Sequence, residues 1–320
     1  MESRKIRTVG NLGTGTMGFG TAFLFALKGY EVRMFGRSET SLERGFSSIR
    51  QALHMYEENG LTSPEQREAI LGRIMGCTAL EEAVQDADFI IESIAEDLQV
   101  KQEVWGRVEK AARTDAIFAT NTSGLSPTRI AQNLQNPERF IVAHFWNPPH
   151  LLPLVEVVPG RQTAPEVVER TWQLMQQIGK KPVRLQREAP GFIGNRLQFA
   201  LLREALHIVE DGIASAEAVD MAVRYSFGRR LAATGPLESA DLGGLDIFYN
   251  ISSYLNTELC SRADVSALLA DCVQRQDLGA KTGQGLYAWK AAELEQLKQD
   301  REETLLHWLR RDQQQGEIPQ

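Results

Sequence analysis

Val9-Gly10-Asn11-Leu12-Gly13-Thr14-Gly15-Thr16-Met17-Gly18 is the stretch on which the reading of this chain turns. The extended run Ile6 to Leu12 leads into Gly13-x-Gly15-x-x-Gly18, and an apolar run of helical character follows from Phe19 to Leu27. Strand, glycine turn and helix in that order give the spacing a mechanism. Gly13 makes the tight turn, Gly15 lets backbone approach a pyrophosphate, and Gly18 lets the helix pack close on the strand. Thr16 and Met17 then present their amides at a helix N-terminus, where partial positive charge suits phosphate. The stretch predicts a dinucleotide site.

The next strand, Glu31–Phe35, should end in Asp or Glu if the cofactor is NAD, because an acidic side chain there binds the ribose hydroxyls. The sequence instead reads Gly36-Arg37-Ser38. Glycine leaves room for a 2′-phosphate, Arg37 can pair with it and Ser38 can donate to it. NADP is therefore favoured over NAD. The plainer alternative is that Gly36-Arg37 is only a turn and Glu39 supplies a carboxylate.

Ser38 also suits the cap of a helix from Glu39 to Asn59, and Thr62-Ser63-Pro64-Glu65 starts a second one to Gly72. Beyond this inserted pair, strands and helices alternate: Ile74–Thr78, Leu80–Gln85, Ala87–Ile91 ending in Glu92, Leu98–Ala112 and Ala116–Thr120. Such repetition with apolar strands means a parallel sheet covered on both faces. Strands at Arg139–Ala143, Leu154–Val158 and Lys181–Leu185 complete it. After Arg187-Glu188-Ala189-Pro190-Gly191 the strand signals stop and helical periodicity takes over. The fold expected is α/β: a Rossmann-type doubly wound domain over 1–187, then an all-helical domain over 188–320. The charge-rich helix Ala291–Arg311 reads as a solvated or packed tail.

The 320 residues suffice for two domains with sizeable cores. A net charge of −7 with no basic stripe argues against a nucleic-acid partner. Cys77, Cys260 and Cys272 lie far apart, form no metal-ligand spacing and read as reduced thiols of a cytoplasmic protein. No metal is expected. No apolar span reaches membrane length, and glycines interrupt the N-terminal apolar run, so neither a membrane anchor nor a signal peptide is read.

Of the five histidines, His144 stands just past a strand end, and Glu156 is the one charge in the next strand, Leu154–Val158. A carboxylate on one imidazole nitrogen fixes the tautomer and leaves the other to take a hydroxyl proton. That is the requirement of alcohol oxidation, where a base removes the proton as hydride leaves for nicotinamide. Asn121-Thr122-Ser123-Gly124 follows another strand directly, at the carboxyl edge where ligands of such sheets bind.

The chain resembles the L-3-hydroxyacyl-CoA dehydrogenases. The resemblance rests on the glycine turn, Ile91-Glu92-Ser-Ile-Ala-Glu96-Asp97, Thr120-Asn121-Thr122-Ser123, His144-Phe-Trp-Asn147-Pro148, Leu154-Val-Glu156-Val, Pro190-Gly191-Phe192-Ile193-Gly-Asn195-Arg196 and Lys281-Thr282-Gly283-Gln-Gly285. These blocks run in the family's order across nearly the whole chain. The resemblance implies that His144 is the catalytic base and Glu156 its orienting partner. It implies that Ser123 and Asn195 bond the substrate oxygen or the histidine, and that Glu96 and Asn121 line the nicotinamide end with Lys101 near it. Ser123 and Asn195 also suit plain helix caps. A homodimer through the helical domain is implied too.

Three departures bear on the substrate. Gly36-Arg37-Ser38 replaces the acidic residue of NAD-using members. Leu53-His54-Met55-Tyr56-Glu57-Glu58-Asn59 has no lysine where the family meets CoA, leaving only nearby Arg50, and its carboxylates would repel CoA's negative charges. Phe227-Gly228-Arg229-Arg230-Leu231-Ala232 looks like relatives that oxidise small free hydroxy acids, such as gulonate and carnitine dehydrogenases, and like λ-crystallin. There Arg230 would hold a carboxylate as a bidentate pair; on a plainer reading it is a surface arginine at a helix end. The expectation is an NAD(P)-dependent oxidoreductase interconverting an L-3-hydroxyacyl-CoA and its 3-oxo form by hydride transfer. The alternative is a dehydrogenase of a small free hydroxy acid using Arg230; a non-catalytic dinucleotide-binding protein is the third reading.

Overall fold

The fold is described from a computed structural model over residues 5–314. Eight strands form one sheet: β1 (Thr8–Leu12), β2 (Glu31–Phe35), β3 (Ile74–Cys77), β4 (Phe89–Glu92), β5 (Ile117–Thr120), β6 (Phe140–Phe145), β7 (Leu154–Pro159) and β8 (Lys181–Arg184). Their order is β3-β2-β1-β4-β5-β6-β7-β8. The chain runs outward from β1 to one edge, crosses back, and fills the other side from β4. That reversal beside β1 is where such sheets open a ligand crevice.

All neighbours are parallel except β6 and β7, which are antiparallel. The sheet is thus mostly parallel, as expected, with one antiparallel pair. The loop between those strands is too short for a crossover helix and returns the chain at once. Leu12, Glu92 and Thr120 share one register row, so the carboxyl ends of three strands finish side by side, and β6 runs on past that row from Val142 to Phe145.

Apolar strands with both faces covered leave two large cores and a small third cluster of Val142, Val158 and Phe192. One joins Val9, Phe25, Phe89, Ile141 and Met175; the other joins Leu12, Ile90, Trp105, Phe118 and Phe140. The inserted pair forms as read: helix Glu39–Glu58, then a 3₁₀ turn and helix Arg67–Gly72. Its Tyr56 and Leu53 sink into the first core.

Contacts divide the chain into two units, residues 196–300 and the remainder. The division falls after Asn195, where a break after 187 was expected. Residues from Arg301 onward return to the first unit, where Leu306 is buried. The second unit is helical, and it includes two short helices, Phe227–Leu231 and Pro236–Gly243, that periodicity does not register. Only Leu206 and Cys272 of this unit are buried. Leu237 is 83% and Tyr249 75% exposed, with Leu245, Ile247 and Tyr254 also open. Among the described residues no helix is long and apolar enough to cross a membrane.

Candidate active site

Asn11, a lone amide in an apolar strand, shapes the glycine turn. Its Nδ2 donates to the carbonyls of Gly13 and Gly18 (3.0 Å each), and its Oδ1 accepts from the Thr21 hydroxyl at 2.7 Å. Gly13 sits at φ +123°, open to glycine, and a Cβ there would meet the Ser93 carbonyl at 2.6 Å. A Cβ on Gly18 would strike the Gly13 carbonyl, so this glycine is demanded by packing. Gly15 differs: nothing lies within 4 Å of where its Cβ would be. The helix Thr16–Leu27 has no side-chain cap and no acidic residue in its first turn. Open space at Gly15 and uncapped amides at Thr16 and Met17 fit a pyrophosphate.

Beside the turn is a cleft of about 330 Å³ whose walls include Thr14, Phe35, Gly36, Arg37, Ser41 and Ser93. Arg37 is exposed and has no ion pair among the described residues. Ser38 caps the helix by accepting from the Ser41 amide (3.2 Å), which leaves its hydroxyl proton free to donate. Gly36 has a second cause besides the one expected. A Cβ there would meet Ser41 Oγ at 2.6 Å and Leu42 Cγ at 2.9 Å, so packing under the helix also favours glycine at this position.

A ladder of charge underlies the ends of β4 and β5. Glu92 is wholly buried; it accepts from Lys101 Nζ (2.6 Å), the Ile94 amide (2.8 Å), the Thr120 hydroxyl (2.8 Å) and Trp105 Nε1 (3.3 Å). Lys101 Nζ also lies 3.4 Å from Glu96. Glu96 in turn accepts from the Thr122 hydroxyl (2.5 Å) and the Ser123 amide (2.8 Å). Lys101 was expected beside the nicotinamide; it is 1% exposed and meets this turn through Glu96. Glu92, which the sequence reading gave no role, anchors the set. Asn121 donates to Ser93 Oγ (3.2 Å) and accepts from the Phe145 amide (2.7 Å), tying β5 to its neighbours. Ser123 is exposed, and Asn195 Nδ2 donates to its carbonyl at 2.9 Å. Neither residue is a helix cap: Ser126 takes that part for the helix after Ser123.

His144 lies inside β6 rather than beyond its end, directly opposite Glu156 on β7. Its Nδ1 is 2.8 Å from Glu156 Oε2, with the residues 5% and 0% exposed. Trp146 Nε1 donates to the same oxygen at 3.3 Å, while Oε1 accepts from the Ile193 (2.8 Å) and Gly194 (3.0 Å) amides. Burial opposes the charge on Glu156, but the bonds from His144, Gly194 and Ile193 outweigh it and hold its pKa low. A fixed carboxylate selects the Nδ1–H tautomer, and Nε2 makes no hydrogen bond with the described residues. An imidazole held in one tautomer with its far nitrogen open can accept a proton.

Residues 8–189 match the NAD binding domain of 3-hydroxyacyl-CoA dehydrogenase and residues 191–289 its C-terminal domain. The chain belongs to the 3-hydroxyacyl-CoA dehydrogenase family. This family member is 33% identical to 5-formyl-3-hydroxy-2-methylpyridine 4-carboxylate 5-dehydrogenase of Mesorhizobium japonicum, over 94% of its own length and 96% of that protein's. It is 37% identical to an L-carnitine dehydrogenase of a Pseudomonas species (75% and 74% of the two lengths). It is 34% identical to a 3-hydroxybutyryl-CoA dehydrogenase of Clostridioides difficile (86% and 97%). A solved structure of the pyridine-carboxylate enzyme, an NAD+ dependent dismutase, superposes with a TM-score of 0.90 at 32% identity, covering 97% and 99% of the two chains. The dehydrogenase is thus an NAD-dependent oxidoreductase whose relatives include CoA and non-CoA enzymes.

On the helical unit, Arg229 is committed to its own segment: it donates to the Arg224 carbonyl and stacks on Tyr225 at 4.7 Å. Arg230 is exposed and its guanidinium has no partner among the described residues. In the inserted helix, Glu57 pairs with Arg67, and Glu58 lies 3.3 Å from His54. The acidic patch expected to repel CoA is therefore partly neutralised, although it still carries no lysine.

Proposed function

We propose that the dehydrogenase interconverts a small free 3-hydroxy carboxylic acid and its 3-oxo form, with His144 as general base. The observation that carries this reading is the His144–Glu156 pair, buried, fixed in one tautomer and with Nε2 open. His144 Nε2 takes the hydroxyl proton, and Glu156 stabilises the imidazolium so formed. Ser123 and Asn195 position the substrate oxygen. Gly13, Gly15, Thr16, Met17 and Gly18 hold the pyrophosphate of the cofactor; Asn121, Glu96 and, beneath it, Lys101 shape the nicotinamide end. When bound, nicotinamide supplies the hydride acceptor. The domain matches an NAD binding domain, and Arg37 and Ser38 would meet a 2′-phosphate, so NADP is proposed to be taken as well as NAD, and in preference to it.

The free acid rests on Arg230: an exposed arginine with no partner among the described residues is suited to a carboxylate. The long match with a pyridine-carboxylate enzyme supports this. An L-3-hydroxyacyl-CoA is the second reading, favoured by the Glu57–Arg67 pairing. Arg230→Met assayed with 3-hydroxybutyrate and with acetoacetyl-CoA separates the two. A KM raised about tenfold or more for the free acid alone supports the first reading; turnover of the thioester only, unaffected by the substitution, supports the second. In either case His144→Ala should lose several orders of magnitude in kcat with cofactor affinity kept, and near-normal turnover would remove the mechanism.

A cytoplasmic homodimer completes the proposal. The second copy covers exposed apolar side chains of the helical unit such as Leu237, Leu245 and Tyr249. Sedimentation of Tyr249→Glu as a monomer, with the wild type at twice that mass, is the expected result.

A further inference from the structure

The loop of residues 146–153 joins the strand that carries His144 to the strand that carries Glu156. One buried charge closes it. Lys180, at the foot of β8, is 3% exposed, and its Nζ donates to the carbonyls of Pro149 (2.5 Å) and Leu152 (2.9 Å). No carboxylate among the described residues lies within ion-pair distance of it. Burial first, then the charge of Lys28, brings its pKa down to about 7. A lysine in either protonation state keeps at least two N–H donors.

Other contacts hold the same loop. The Tyr56 hydroxyl donates to the His150 carbonyl at 2.5 Å, and the His150 ring packs 5.7 Å from Phe19 of the first helix. A Cβ on Gly20 of that helix would run into Pro149. A desolvated cation held by carbonyls alone is an expensive way to fill a core, and an apolar residue would fill the same space. The expense has to be offset by what the two bonds determine.

We propose that Lys180 is a positioning residue for the catalytic pair: by bonding Pro149 and Leu152 it sets the loop's shape, and so the fit of Trp146 and His144 against Glu156. The inference rests on the reading of that pair as the base and its orienter.

The test uses the full chain with Lys180→Met, read without turnover as well as with it. The low-field imidazole N–H resonance of the His144–Glu156 bond, assigned by its loss in His144→Gln, should shift or broaden in Lys180→Met. NADH affinity should stay within about twofold, and kcat with whichever of 3-hydroxybutyrate and acetoacetyl-CoA the wild type uses should fall about tenfold or more. Tyr56→Phe, which removes another loop anchor at the cost of one hydroxyl, should move the resonance in the same direction, and it serves as the variant if Lys180→Met does not fold. An unchanged resonance in a folded variant, with only a lower Tm, would make Lys180 a stabiliser of the fold and overturn the proposal. A moved resonance without turnover in the wild type would leave the positioning intact and count against the functional reading alone.

Discussion

Glu156 and His144 are directly paired across the sheet's antiparallel strands, and the same carboxylate holds the amides of Ile193 and Gly194 with its second oxygen. One buried group therefore joins the strand that carries His144 to the segment that brings in Asn195. Glu156→Gln keeps the shape and removes the charge. It should lower kcat by roughly 10²- to 10⁴-fold, with NADH binding by fluorescence unchanged. Retained turnover would mean the imidazole needs no carboxylate partner. Since the folded pKa of Glu156 lies below 4.5, the stability from its charge is present above that pH and lost as pH falls through the folded value.

The glycines of the turn should separate by readout. Gly15→Ala meets no protein atom, so Tm should hold while the Kd for NADH rises about tenfold or more as the backbone is kept off the pyrophosphate. Gly18→Ala drives a methyl into the Gly13 carbonyl and should cost about 1–3 kcal/mol in urea unfolding. The opposite pattern would contradict the assignment of the phosphate site.

Cofactor choice is read by Arg37→Ala. An ion-assisted bond to a 2′-phosphate is worth about 1.5–3 kcal/mol, so kcat/KM with NADP should fall roughly ten- to a hundredfold while NAD is untouched. Equal effects on both cofactors would reduce Gly36-Arg37-Ser38 to a turn and a cap.

His150 gives a pH signature. Burial, and then the charge of Lys180, lowers its pKa from 6.5 to about 4 in the folded chain. Between those values the unfolded chain binds the proton and the folded one does not, so stability rises as pH climbs from 4 to 6.5. The full difference is about 3 kcal/mol by linkage. Its Nδ1 has no hydrogen-bond partner among the described residues, so His150→Leu sacrifices little. Urea unfolding at pH 4.5, 5.5 and 6.5 should show a shallower rise in the variant. Parallel curves would show that His150 is not held neutral.

The dinucleotide turn, the alternation of strand and helix, the Ser38 cap and the choice of His144 and Glu156 were legible because each lies in a short stretch with one physical solution. Glycine spacing, period and capping act over a few residues, and two strands joined by a short loop must pair. The deeper parts of the site were not legible. Nothing local reveals that Lys101 turns inward to Glu92, which happens once its helix docks on β4, or that Glu96 holds the Ser123 amide, which needs β4 and β5 side by side. Gly36 carried a phosphate argument in the sequence and a packing one in the structure, for Leu42 and Ser41 come over it only once their helix docks.

By itself the sequence determined an N-terminal dinucleotide fold, a helical remainder and a His–Glu pair, since hydrophobic period and turn chemistry are written residue by residue. Tertiary structure alone decided that Lys180 closes the loop between β6 and β7, that Lys101 reaches Glu92, and that residues 301–314 return to the first unit. Burying a charge or repacking a tail depends on which surfaces meet, and that is settled by the whole core rather than by any one stretch.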